Sequence, residues 1–260
     1  MTDNAIAAPA TGDRVFMRNL ITVMAIILVS GFVVQLAAGR SSFGAPLVVH
    51  AHAFVFMGWV GIVVAQAWLA GTGHLKLHRQ LGAVAAFWAL ALLFVGTQVT
   101  VAAVQTGRTP FFFQPQHFII ANPLILYGAV GLVFAAVALR HQPDWHWRLQ
   151  TGSFVCLMGP GFGRLLPMPM LPPYAHEIAA LVALVFPIAG MIHDWRAHGR
   201  PHPAWLVGIV VLVGITFGSR LLAFSPVGEG VYEAIVAGTA LEGVSGLAYP
   251  PPPGPPPAAL

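Results

Sequence analysis

Four of the eleven histidines in this 260-residue chain fall at the heads of consecutive apolar segments: His52, His78, His117 and His146. A neutral imidazole nitrogen ligates iron well, and two rings facing each other across a helical bundle can take both axial positions of a b-type haem. Consecutive membrane-crossing helices run in opposite directions, so His52 and His117 fall near one membrane face and His78 and His146 near the other. The spacing predicts two cross-bundle pairs. All four histidines are therefore expected metal ligands, with haem b, one or two per chain, as the expected cofactor. There is one cysteine, Cys156, and no Cys-x-x-Cys-His attachment sequence, so haem would be held noncovalently.

A second constellation gathers Arg164, His176, Glu177 and Arg220 near segment ends on the His52 and His117 side. Buried membrane charges need partners, so Glu177 is expected to neutralise one of the two arginines. Such a pair could simply lock helices together. A guanidinium fork also matches a carboxylate, which makes Arg164 and Arg220 candidates for holding haem propionates or an anionic substrate. His50 and His52 cannot face the same way, because two residues along a helix turn it by about 200°. His52 shares a stripe with Phe56, Trp59 and Gln66 and is taken as the inward one. His74, His141, His193, His198 and His202 stand beside charged residues and read as interfacial anchors.

The elements that must position these groups follow from composition. Hydrophobic residues make up 57% of the chain and charged residues only 8%, and mean hydropathy is +0.79. A soluble domain carries roughly 25% charged residues, so lipid is the solvent this surface is built for. Seven apolar runs approach the roughly 20 residues a spanning helix needs: Asn19 to Ala38, Leu47 to Ala70, Arg79 to Val104, Gln116 to Leu139, Leu149 to Leu166, Tyr174 to Ile192 and Ala204 to Phe224. They are continuously apolar rather than alternating, which excludes barrel strands and leaves helices. The expected fold is an all-α integral membrane protein, a single bundle of seven transmembrane helices.

Eight of the twelve basic residues (Arg14, Arg18, Lys76, Arg79, Arg140, Arg148, Arg196, Arg200) fall on one side and four (Arg40, Arg108, Arg164, Arg220) on the other. Positive charge is retained in the cytoplasm, which predicts the N-terminus inside and the C-terminus outside. The first apolar run is too long for the 7–15-residue core of a signal peptide. Residues 1–18 are expected as a disordered cytoplasmic N-terminus, 19–224 as the bundle, 225–246 as an amphipathic surface helix and 247–260 as a Pro-rich disordered tail. Pro123 and Pro187 lie inside helices and should bend them. The expected partners are the lipid bilayer and a quinone or redox protein; no interleaved basic and aromatic surface suggests nucleic acid.

The order of histidines resembles that of the ascorbate-reducible dihaem cytochrome b family. The stretches that carry the resemblance are His52-Ala53-Phe54-Val55-Phe56-Met57-Gly58, Lys76-Leu77-His78-Arg79, Gln116-His117-Phe118-Ile119 and Trp145-His146-Trp147-Arg148, over roughly residues 45 to 165. The resemblance implies one haem between the second and fourth helices and another between the third and fifth. Here His78 and His146 are each close to an arginine at a helix start. Other stretches, among them His78-Arg79-Gln80-Leu81-Gly82, Gly159-Pro160-Gly161-Phe162-Gly163-Arg164 and Gly199-Arg200-Pro201-His202-Pro203-Ala204, are similar to a family of uncharacterised multi-pass bacterial membrane proteins. That likeness implies the bacterial inner membrane and no activity.

The function these observations favour is an inner-membrane b-type haem protein that carries electrons across or within the membrane. Two alternatives come from other classes. One is a small-solute transporter with its site at Arg164, Glu177 and Arg220, against which the lack of an evident inverted repeat counts. The other is a membrane-embedded metal-dependent enzyme, for which the chain offers no helical His-x-x-x-His pair.

Overall fold

The computed structural model describes residues 11–39 and 44–252. The parts of the N-terminal and C-terminal expectations that concern residues 1–10 and 253–260 lie outside the described residues, as does Arg40. The described residues are helical without strands: α1 (Thr11–Ala37), α2 (Leu47–Gly71), α3 (Leu75–Gln105), α4 (Pro115–Ala138), α5 (Pro143–Cys156), α6 (Gly159–Leu165), a 3₁₀ turn (Met168–Met170), α7 (Ala175–Val182), α8 (Val185–His198), α9 (Pro203–Ala223) and α10 (Pro226–Val236). α1 begins at Thr11 and not at residue 19, so residues 11–18 are helix rather than a disordered leader.

Among the described residues six segments are long and apolar enough to cross a membrane: α1, α2, α3, α4, the α7–α8 pair and α9. The chain is thus a multi-pass membrane protein in its architecture. The expected single helix Leu149 to Leu166 is instead α5 followed by α6, interrupted at Leu157 and Met158. Proline explains the interruption. Pro160 has no N–H for the Cys156 carbonyl, and the preceding turn tightens to Leu157 N–H donating to Phe154 O and Met158 N–H to Val155 O. Pro187 does the same to the Ala183 carbonyl, and the α7–α8 junction tightens at Ala183 and Leu184. Pro123, by contrast, sits inside an unbroken α4.

Prolines also open α4, α5, α9 and α10, where a missing donor costs nothing. Short connections keep sequential helices antiparallel: α2 packs on α1 and α3, and α4 on α3, α5 and α9. α5 is surrounded by α4, α8, α9 and the edge of α1. Every residue from Trp147 to Met158 except Gln150 is buried. That explains why α5 can carry Arg148, Thr151 and Ser153 at membrane depth: its solvent is protein, not lipid. α10 buries Tyr232 and Val236 against α3, α4 and α9. The chain then turns back over the start of α4, where Gln116 N–H donates to Gly246 O and Gln114 Nε2 to Leu247 O.

Candidate functional site

His78 and His146 are each the fourth residue of a helix that follows a short turn, so each ring leans back on the helix before it. His78 Nδ1 donates to Gln66 O of α2 at 3.2 Å, and His146 Nδ1 donates to Ala136 O of α4 at 2.7 Å. Carbonyl oxygens only accept, so both neutral rings are fixed with the proton on Nδ1 and the lone pair on Nε2. The two rings lie 6.1 Å apart, centre to centre, with planes crossed at 84°. Metal–imidazole bonds of about 2.0–2.1 Å, plus about 1.1 Å from each nitrogen to its ring centre, set two axial imidazoles roughly 6.2 Å apart. The observed separation matches that spacing, ring centre to ring centre. A backbone carbonyl on the remote nitrogen is also the usual way a protein orients a ligating histidine.

A polar lock stands beside this pair. Arg148 grips Asp194 of α8 with two bonds, Nε to Oδ2 at 2.9 Å and Nη2 to Oδ1 at 2.6 Å. Asp194 Oδ2 also accepts Trp205 Nε1 at 2.8 Å and His202 N–H at 2.9 Å. Both charged groups are buried, and Asp194 is wholly so. On the α1 side, Asp13 Oδ1 accepts from His193 Nε2 at 2.9 Å and His198 Nε2 at 3.1 Å, with Phe16 stacked on His193 at 3.9 Å. Sequence reasoning placed Arg148 among the basic residues of one membrane side and His193, His198 and His202 among interfacial anchors. The structure makes Arg148 a buried residue and ties each of these histidines into the packing of α1, α8 or α9.

The other end is built differently. His52 faces inward beside Phe56, ring centres 4.2 Å apart, whereas His50 is exposed, as the stripe argument expects. No ring contact joins His52 to His117. The imidazole next to His117 is His176 of α7, at 5.1 Å with the ring planes at 66°. Three buried polar atoms here, His52 Nδ1, His117 Nε2 and Glu177 Oε2, have no hydrogen-bond partner in the protein. Each such group costs about 1–3 kcal/mol if left unmet.

The two arginines part company. Glu177 is paired with Arg220, Nη1 to Oε1 at 2.8 Å. Arg220 Nη1 also donates to Pro173 O at 3.2 Å, and its guanidinium lies 4.9 Å from both the Tyr174 and Phe224 rings. Arg164 has no carboxylate partner among the described residues. It donates to Pro160 O at 2.8 Å, lies over Phe32 at 4.0 Å, and is within electrostatic reach of His52.

Among the described residues no group of three or more His, Cys, Asp or Glu side chains is placed to hold a bare metal ion. Two imidazoles alone do not make a protein-only metal centre, which takes three or four ligands. They do suffice for an iron whose other four positions a macrocycle fills. At the His78 end the donor set, two neutral imidazoles with Nε2 left uncommitted, is of the kind such an iron takes. No family model, no curated protein and no solved structure matches the chain.

Proposed function

We propose that this is a bacterial inner-membrane electron carrier that holds a b-type haem between His78 of α3 and His146 of α5. The observation that carries the reading is the 6.1 Å crossed pair with both Nδ1 atoms committed to backbone carbonyls. Seven spans, counting α5 and α6 as one interrupted crossing, with the N-terminus inside, agree with the eight-to-four split of basic residues. The haem end is then the cytoplasmic one.

Bound haem supplies a one-electron couple between ferric and ferrous iron; the rest is the work of this chain. Gln66 O and Ala136 O would hold the two ligand rings in fixed orientations. The Arg148–Asp194 lock fixes α5 against α8 and α9, and so fixes where His146 stands. The buried flank of α5 keeps water from that side of the site. An electron leaves or enters through a quinone or a redox protein partner. At the opposite end His52 and His117 make no ring contact with each other, so only the one haem at His78 and His146 is proposed. Arg164, the arginine without a carboxylate, is the one suited to an anionic group there, whereas Arg220 is committed to Glu177.

The test is to express the chain with a haem precursor, purify it in detergent and record reduced-minus-oxidised spectra with a pyridine determination of haem type. The reading expects a Soret band, a sharp reduced α-band and haem b. A colourless, folded protein would overturn it.

A further inference from the structure

With 31 residues, α3 is the longest helix among the described residues, and one of its faces is turned away from the bundle. That face repeats at heptad spacing through Val84, Phe87, Ala91, Phe94 and Gln98. Phe87 and Phe94 are 76% and 68% exposed. Apolar side chains there need only lipid. Gln98 is different. It is exposed and makes no hydrogen bond among the described residues, while its neighbour Thr97 is satisfied by Tyr127 at 3.0 Å. Tyr127 lies near the middle of α4, so Thr97 and Gln98 stand at a level within the candidate spanning length of both helices. A carboxamide in hydrocarbon has donors and an acceptor with nothing to meet them, and such groups in membranes mark contacts.

We infer that the outward face of α3 is a homodimer interface and that Gln98 is covered by Gln98 of a second copy. A carboxamide is its own complement, because each can donate N–H to the carbonyl of the other. Membrane insertion gives every copy the same orientation, so two α3 helices meet in parallel. In a parallel pair with two-fold symmetry, each seam residue faces its own counterpart at the same depth. A seam of Val84, Phe87, Ala91 and Phe94 around one polar residue follows the pattern by which a single buried amide sets the register of paired helices. Beside the seam runs a groove of about 450 Å³ between α3 and α4, lined by Leu90, Leu93, Phe94, Thr97, Gln98 and Tyr127.

The experiment uses the full chain in native membranes. The natural Cys156 is buried, so introduced thiols report alone. Ala91→Cys keeps Gln98 intact and should give a covalent dimer on mild oxidation, while Val210→Cys, on the exposed face of α9, should not. Adding Gln98→Leu to Ala91→Cys should cut the cross-linked fraction about fivefold, the effect of losing roughly one membrane hydrogen-bonded contact, and Gln98→Asn should retain part of it. Cross-linking at Ala91→Cys no greater than at Val210→Cys overturns the inference. So does a cross-link indifferent to Gln98→Leu, or native mass spectrometry that finds a monomer carrying a polar lipid which Gln98→Leu removes.

Discussion

The two ends of the bundle use the same residue types to opposite effect. At the His78 end both metal-candidate imidazoles have one nitrogen anchored on a carbonyl, and the buried arginine has a two-pronged carboxylate partner. At the His117 end the inward nitrogens of His52 and His117 and one oxygen of Glu177 are unmet, and Arg164 has no acid beside it. Anchored rings can coordinate without reorganising, so the first end is ready to hold a group. The second holds polar atoms that favour something brought to them. The anchoring of the two rings and the pairing of the arginine, not the number of histidines, separate the two ends, for Gln66 Oε1 and Trp147 Nε1 at the first end are unmet as well.

The comparison breaks most visibly at the lock. Arg148→Ala leaves Asp194 buried and unpaired and should destabilise the protein by about 3–5 kcal/mol, read as thermal unfolding in detergent. Replacing both partners at once, Arg148→Met with Asp194→Leu, should recover most of that loss. At the other end, Glu177→Gln weakens the Arg220 pair and should cost about 1.5–3 kcal/mol, the range for bonds to charged groups. Arg164→Gln, with no carboxylate to strand, should cost less in the same assay. If the two changes cost the same, the assignment of Glu177 to Arg220 alone is wrong.

A phenylalanine substitution sharpens the contrast between rings. His117→Phe removes an orphaned nitrogen and should be neutral or stabilising, whereas His146→Phe strips Ala136 O of its donor and should cost about 1 kcal/mol. Matching effects in a chemical-unfolding series would erase the distinction. A small loss is expected at His202, whose Nδ1 accepts Ala204 N–H at the start of α9. Burial first, and the Arg148 charge second, hold this ring below the ordinary histidine range. The folded state therefore binds fewer protons than the unfolded one, and stability should fall as pH drops below about 6.5. His202→Ala should cost about 0.5–1 kcal/mol at neutral pH and remove that part of the pH dependence.

The apolar runs announced the helices, and antiparallel alternation put His78 beside His146 before any coordinates. What the chain could not announce was enclosure. Arg148 follows a proline-opened helix start and a tryptophan, which reads as an interfacial charge. Only the packing of α4, α8 and α9 around α5 shows it buried, with Asp194 some 46 positions later as its partner. The pairing of His117 with His176 was hidden for the same reason: α7 is brought to α4 by the fold and not by the spacing of residues. Pro160 was a legible signal passed over. A proline four residues after Cys156 withdraws one helix bond, and the expected single helix divides there.

The central claim is that the His78–His146 pair holds haem. The most direct measurement compares the visible and low-temperature electron paramagnetic resonance spectra of the wild-type protein with those of His78→Ala and His117→Ala, all normalised to folded protein. The account predicts that the wild type shows low-spin iron with two crossed imidazoles, that His78→Ala loses this signal, and that His117→Ala keeps it. Loss in His117→Ala with retention in His78→Ala would contradict it.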